Sequence, residues 1–256
     1  MGHRYHHRTS EPENAGGSGS HARLEATPPN RDKALPATLL CTVTDLDGHT
    51  ILTQKETVTL EANRTSKIKL QFPFENAKLW SPETPNLYRM VCCLVPANGE
   101  PADTVTTTFG VRHVEYNAEK GLVLNGKAIE MNAASYRDAE WRKARLMKEA
   151  GFNAVRTSHN PPSEAFLDAC DHLGLLVIDE SFDGWRSAKT PKDYSVLFDQ
   201  WWTKDIESMV LRDRNRPYGI RLGRPCTQSR PEPSGDICPC GMGQRLGNLR
   251  PVGCRT

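Results

Sequence analysis

Two short stretches concentrate the groups that could do chemistry. The first is Arg156-Thr157-Ser158-His159-Asn160, which sets a guanidinium, hydroxyls, an imidazole and an amide side by side. Such groups can donate to and accept from a hydroxyl-rich ligand such as a sugar. The second is Asp179-Glu180, with Asp183 and Trp185 close behind. Neighbouring carboxylates suit acid–base work, metal binding or sugar hydroxyls, and an indole beside them offers a platform for the apolar face of a sugar ring. Each stretch has a plainer alternative: a polar loop that caps its own helix, and a helix-proximal charge pair beside a core tryptophan.

The surrounding pattern decides where these stretches lie. Ala154–Thr157 reads as a short strand, so the first stretch leaves a strand end. Pro161-Pro162-Ser163 then opens a helix with Ser163 as N-cap; Phe166, Leu167, Cys170 and Leu173 form its apolar face and Gly174 stops it. Leu175–Ile178 is a continuous apolar strand, as expected when both faces are buried, and the second stretch leaves its end. A helix over Ala139–Ala150, stopped by Gly151, precedes these units. A longer one over Leu197–Asp213, with Phe198, Trp201, Trp202, Ile206, Met209 and Val210 on one side, follows them. Alternating strands and helices mean a parallel sheet, and functional groups gather at the C-terminal ends of such strands. Upstream, the period is two. Leu39–Thr44 and Thr50–Thr53 flank the turn formers Asp45, Asp47 and Gly48. Val58 and Leu60, then Ile68, Leu70 and Phe72, alternate with polar residues, and Leu87–Val95 and Thr104–Val111 add further strands. Short strands at this spacing predict an antiparallel immunoglobulin-like sandwich. Leu122–Asn125 and Lys127–Met131 flank a turn at Asn125-Gly126.

With 256 residues the chain can hold one large or two ordinary domains. A hydrophobic share of 37% and a mean hydropathy of −0.59 suggest a packed middle diluted by polar ends. The net charge of +2, with Lys and Arg scattered among Asp and Glu, argues against nucleic acid. Cys41, Cys92, Cys93 and Cys170 sit in apolar stretches as buried reduced thiols do, which points to a reducing compartment. No apolar h-region follows the basic start and no run long enough to span a membrane exists, so a cytoplasmic location is expected. Asn63-Arg64-Thr65 is then a chance glycosylation match. His3, His6 and His7 have no scaffold to fix a metal, and the CxC spacing of Cys238 and Cys240 is poor for zinc.

Longer segments resemble one family. LWSPETPNLY (Leu79–Tyr88) is similar to the hallmark of the immunoglobulin-like domain that precedes the barrel in glycoside hydrolase family 2, the β-galactosidase and β-glucuronidase family. FGVRHVE (Phe109–Glu115) resembles that domain's last strand entering the barrel, and LVLNGKAIEMN (Leu122–Asn132) the hairpin and first barrel strand. Leu146–Trp185 resembles the second and third barrel strands almost position for position, and RDRNRP (Arg212–Pro217) the stretch before the fourth. The resemblance spans about Ala37 to Pro217. It implies a retaining β-glycosidase fold in which His159 contacts the sugar, while Arg156, Asn160, Asp179, Glu180, Asp183 and Trp185 line or support the same pocket. β-Galactosides are the first expectation for the saccharide and β-glucuronides the second. No cofactor or metal is implied, no nucleic-acid or membrane partner is expected, and oligomeric state stays open.

The departures set further expectations. The family's acid/base Glu follows an Asn soon after the RDRN-P stretch, whereas here the chain reads RDRNRPYGIRLGRPCTQ. Glu232, between Pro231 and Pro233, is no substitute. With neither catalytic Glu in place, no catalytic residue is assigned and no normal turnover is expected; a non-catalytic carbohydrate- or protein-binding module is the alternative. The Gly-rich loop that usually follows the family's first barrel strand is missing at the expected place, where Met131-Asn132 runs almost directly into Ala133-Ala134-Ser135-Tyr136. The family's N-terminal jelly-roll domain is replaced by a Gly/Ser-rich lead. The expected organisation is a multidomain chain. A disordered lead covers 1–36, an all-β immunoglobulin-like sandwich 37–112, the N-terminal part of an α/β (TIM-type) (β/α)8 barrel 113–217, and a disordered or frame-shifted tail 218–256. An incomplete barrel should leave a strand edge and inner apolar surface exposed.

Overall fold

The computed structural model describes residues 6–10, 19–26, 34–62, 66–74, 76–97, 103–117, 119–136, 141–213 and 215–218. Expectations for the tail beyond Tyr218, with Cys226, Glu232, Cys238, Cys240 and Cys254, lie outside these residues, as do those for Asn63-Arg64-Thr65 and His3.

The lead is not structureless throughout. β1 (His6–Ser10) and β2 (Gly19–Ala26) pair antiparallel, and β2 pairs with β5 (Ser66–Pro73) along its whole length. At residues 6–10 and 19–26 this replaces the disorder expected for 1–36. The Gly/Ser content masked the alternation of Ala22, Leu24 and Ala26, and β5 offers an edge that accepts a strand.

The larger sheet has the order β4-β3-β6-β7, built from β3 (Leu35–Asp45), β4 (Thr50–Leu60), β6 (Tyr88–Pro96) and β7 (Asp103–Phe109), all antiparallel. Alternation fixes its inner face. Ala37, Leu39, Cys41 and Val43 of β3 and Tyr88, Met90, Cys92 and Leu94 of β6 are buried, joined by Leu60, Phe74 and Phe109, with Ile68 of β5 packed against them. Each large apolar side chain buried here contributes about 1.5–3 kcal/mol. The two strand runs read at Thr50–Thr53 and Val58–Leu60 are one continuous strand.

The register sets Cys41 directly opposite Cys92, and the two form a disulfide. This corrects the reading of both as reduced thiols. Cys93, on the other face, and Cys170 are the free cysteines among the described residues.

β8 (Val114–Asn117), β9 (Gly121–Leu124) and β10 (Lys127–Ala128) form a small antiparallel sheet, turned at Asn125 and Gly126, both at positive φ. The parallel sheet follows, in the order β11-β12-β13: β11 (Ala133–Tyr136), β12 (Ala154–Thr157) and β13 (Leu176–Ile178). The first barrel strand is therefore Ala133–Tyr136, not part of Leu122–Asn132. With the intervening loop short, the Ala-Ala-Ser-Tyr segment itself fills the first slot. The connecting helices are α1 (Trp141–Glu149) and α2 (Glu164–Leu173), and a 3-10 turn at Tyr194–Val196 leads into α3 (Phe198–Asp213). As read, Ser163 caps α2 by accepting from the Phe166 N–H at 3.3 Å, and Gly174 ends it in a left-handed conformation. On α3, Phe198 is buried and Trp202, Ile206, Met209 and Val210 are half-buried. Trp201, expected on the same side, is exposed and carries Lys204 Nζ 4.5 Å from its ring centre.

Sandwich and parallel sheet are joined by a specific contact. Trp80 is completely buried; its backbone N–H donates to Val111 O at 2.7 Å and its indole N–H to Asp171 O at 2.8 Å. Asn125 Nδ2 donates to Trp80 O at 2.9 Å. Lys148 Nζ bridges Pro82 O at 2.6 Å and Gly174 O at 2.9 Å, and burial lowers its pKa. Behind this contact Asp171 is buried; Arg216 lies 3.2 Å away and the Tyr218 N–H 3.4 Å away. Tyr218, assigned from the sequence to the disordered or frame-shifted tail, is itself buried.

Candidate carbohydrate site at the strand ends

The loop after β12 and the loop after β13 lie side by side because their strands are paired neighbours, with Arg156 opposite Ile178. Arg156 Nε reaches Glu180 Oε1 at 2.7 Å. The Ser158–His159 peptide is cis, and the His159 ring stands between two acids, Nδ1 3.4 Å from Glu180 Oε2 and Nε2 3.7 Å from Asp183 Oδ1. Thus Arg156, His159, Glu180 and Asp183, named from two separate stretches, form one connected cluster. Asn160 is exposed on the same loop. Trp185 is 59% exposed, with its ring edge-on to Phe182 and tilted against Phe198. The indole is thus propped from behind and open in front, as a stacking platform must be.

Asp179 plays a different part. Its Oδ1 accepts from Thr157 Oγ1 at 3.2 Å, and Thr157 Oγ1 in turn accepts from the Glu180 N–H at 3.0 Å. Burial, then the neighbouring Asp213 carboxyl, push its pKa up to about 7. Asp179 therefore supports the cluster from behind rather than facing outward with Glu180.

Three contributors carried no assigned role in the sequence reading, and Thr157, read there as one of the sugar-binding hydroxyls, is instead buried with its hydroxyl turned to Asp179 and the Glu180 N–H. Lys189 pairs with Asp183 at 2.7 Å, but nothing in its loop position marks it. Asp193 organises the loop that carries Trp185 and Lys189. Its carboxylate accepts from Ser195, Thr190 and Lys189, which hold its pKa well below the usual carboxylate range. Phe182, stacked on Tyr194 at 4.7 Å, props Trp185. A signal did exist for Phe182: an aromatic three residues before Trp185.

Two guanidinium or ammonium groups, an imidazole and two carboxylates alternate across the cluster. Such a surface is rich in directional hydrogen-bonding capacity and nearly balanced in charge, which suits a neutral polyhydroxylated ligand. Among the described residues the one group of potential metal ligands lies elsewhere, at the exposed turn Asp45, Asp47 and His49. No helix among them is long and apolar enough to cross a membrane.

An antiparallel sandwich clasped to the opening strands of a parallel β/α barrel, with polar groups at the strand ends, defines a class of carbohydrate-active fold. Two family models match, Glycosyl hydrolases family 2 over residues 13–112 and its TIM barrel domain over residues 114–219. The chain belongs to glycosyl hydrolases family 2. It is 35% identical over 192 residues to the beta-galactosidase BoGH2A of Bacteroides ovatus, a match covering 70% of this chain and 22% of that protein. A provisionally named beta-glucuronidase of Formosa agariphila is 39% identical over 161 residues, covering 58% of this chain and 15% of the relative. Among solved structures, a glycosyl hydrolase family 2 member from Bacteroides cellulosilyticus superposes with a TM-score of 0.72 at 32% identity, covering 83% of this chain and 29% of that one. The chain thus spans about a fifth of the first of these curated relatives and about a seventh of the second. The first family match starts at residue 13, which agrees with β2 belonging to the sandwich.

Proposed function

We propose that this chain supplies the sandwich and the first three barrel strands of a retaining β-glycosidase, and that its strand ends bind a β-linked saccharide without cleaving it. β-Galactosides are the first choice and β-glucuronides the second. The observation that carries the reading is the convergence of Arg156, His159, Glu180 and Asp183 beside the exposed Trp185 face. The near-balanced charge favours a neutral galactoside, because Arg156 and Lys189, the cations that a uronide carboxylate would need, are already paired with Glu180 and Asp183. Retaining hydrolysis needs two carboxyl groups about 5–5.5 Å apart, one proton donor and one free nucleophile. Glu180 and Asp183 are both held in ion pairs, so they serve binding.

Calorimetry with p-nitrophenyl β-galactoside tests the reading, with nitrophenol release followed in parallel. The chain should bind without releasing nitrophenol, and His159→Ala should weaken binding by about 2–10-fold, the loss of one hydrogen bond. Steady hydrolysis by the chain, or unchanged affinity in the variant, would refute it.

A further inference from the structure

The loop after β13 carries two cations, Arg186 and Lys189, and commits them differently. Arg186 turns to α3: its Nε donates to Asp199 Oδ1 at 2.8 Å and its Cζ lies 5.5 Å from the centre of the Phe198 ring. Lys189 turns back to the saccharide cluster, where its Nζ donates to Asp183 Oδ1 at 2.7 Å. Exposed lysine pairs are ordinarily loose, because ordering the long side chain costs entropy. Here the backbone under Lys189 is fixed. The Asp193 carboxylate accepts from the N–H of Lys189 at 2.5 Å, of Thr190 at 3.1 Å and of Ser195 at 2.9 Å. Gly184, next to Asp183, packs against the same carboxylate: a Cβ there would lie 3.8 Å from Asp193 Oδ2. Both members of the pair therefore stand on one closed loop, which also carries Trp185. The cluster's other pair, Arg156 with Glu180 at 2.7 Å, is more enclosed. The Glu180 side chain is 23% exposed and also lies 3.4 Å from His159 Nδ1, whereas those of Asp183 and Lys189 are 47% and 57% exposed. The open pair is the one that a charged substituent of a ligand can compete for.

We propose that Asp183 determines the charge of the sugar this site accepts: by holding the Lys189 ammonium it denies that cation to a carboxylate, so neutral glycosides bind and uronides are turned away. The proposal rests on the saccharide-binding reading above and names the residue that sets its substrate class. A uronide carboxylate here must take the ammonium from Asp183 and leave two carboxylates facing each other, a repulsion that a hydroxymethyl group does not meet. With Asp183 made neutral, the same ammonium, fixed on the same loop, becomes the partner of the uronide.

The test is calorimetry of the full chain with p-nitrophenyl β-galactoside and p-nitrophenyl β-galacturonide, which differ only in a hydroxymethyl against a carboxylate. The readout is the ratio of the two dissociation constants, in which effects common to both ligands, such as a shift of His159 beside Asp183, cancel. The wild type should favour the galactoside. At low salt Asp183→Asn should move the ratio about 2–5-fold toward the galacturonide, the range of exposed ion pairs, and Lys189→Met by a similar factor the other way. The two single variants should then differ by about tenfold, and added salt should shrink the difference. With both substitutions together, both charges are gone and the ratio should return toward the wild-type value. A merely structural role for the pair would move both ligands together, and an unmoved ratio overturns the proposal. So does a wild type that binds the galacturonide as tightly as the galactoside, or a double variant whose ratio follows that of Asp183→Asn. Should Asp183→Asn fail to fold, Lys189→Met carries the same test with the opposite sign. If neither ligand binds the wild type, the saccharide reading fails and takes this proposal with it; binding of both with an unmoved ratio leaves that reading standing.

Discussion

Gly174→Ala probes the contact between sandwich and barrel segment most directly. Gly174 sits at φ +70 and ψ 50, where an alanine costs about 1–2 kcal/mol. A Cβ added there would lie 2.3 Å from Pro82 O and 2.9 Å from both the carbonyl carbon and Cα of Pro82. Backbone cannot rotate aside, so the Pro82 loop must retreat by about 1 Å to reach ordinary contact, a forced displacement of the kind that costs about 1–3 kcal/mol. That retreat also pulls Pro82 O from Lys148 Nζ, now 2.6 Å away. The expected loss is about 2–5 kcal/mol, a large part of the 5–15 kcal/mol typical of a folded domain. Gly151→Ala is the matched control, because Gly151 is also at positive φ, 87, but a Cβ there meets nothing within 4 Å. It should lose only the conformational 1–2 kcal/mol. Urea unfolding would be followed by far-ultraviolet dichroism and by the blue-shifted part of the tryptophan fluorescence, to which Trp80, the most buried of the five tryptophans, contributes most. In Gly174→Ala the fluorescence transition should come first, as the contact opens before the sandwich unfolds. Equal losses in the two variants would refute the steric reasoning.

The buried pair behind the contact and the disulfide give two further tests. Arg216→Ala leaves Asp171 buried beside Asp168 without its guanidinium, at a cost of about 3–5 kcal/mol. Burial already raises the Asp171 pKa to about 7 with Arg216 present; without it the native state favours the protonated acid further. The deficit should therefore stay nearly constant up to about pH 7, where native Asp171 keeps its proton in both proteins, and grow as pH rises above 7, and a deficit that does not change across pH 7 in urea titrations would refute the assignment. For the disulfide, a non-reduced digest should yield a peptide linking Cys41 and Cys92, and quantitative alkylation of both without reductant would exclude the bond. With a sequence separation of 51, the bond contributes about 4 kcal/mol in the chain-entropy picture, so reductant should lower the urea midpoint.

Local signals in the sequence were sufficient wherever the determinant is local. Helix α2 follows from Ser163, the spacing of Phe166, Leu167 and Cys170, and Gly174, each of which acts within a turn or two. The Asn125-Gly126 turn and the alternation of Leu39, Cys41 and Val43 are of the same kind. What stayed hidden depends on register between distant strands. The Cys41–Cys92 pairing needs the alignment of β3 with β6, and the sheet position of β2 needs the free edge of β5. The site divides along the same line. Residues at strand ends were legible because a parallel sheet gathers them, so Arg156, His159, Glu180 and Asp183 could be named from two stretches. Lys189 and Asp213 were not, because a loop fold and the end of a helix bring them in. Trp201 was misplaced because the α3 stripe is wider than the surface it covers.

The position of α2 explains why a loop of the sandwich bears on the site at all. The first strand end empties into a loop, Arg156 to Pro162, that runs directly into the Ser163 cap. The helix is 10 residues long, and its far end carries both Asp171, whose carbonyl accepts from the Trp80 indole, and Gly174, against which Pro82 rests. An α-helix of that length is about 15 Å long and, capped at both ends, moves as a unit. A tilt of its C-terminal end would be carried to the loop that holds His159 between Glu180 and Asp183. The Leu79–Tyr88 segment thus fixes the angle of a helix whose other end leads back into the loop that carries the His159 imidazole. The same lever makes Gly174→Ala informative about the site. In a galactoside-binding assay its affinity should drop more than that of Gly151→Ala, even where both proteins remain folded, and equal affinities would mean that the loop after β12 is held by its own strand pairing alone.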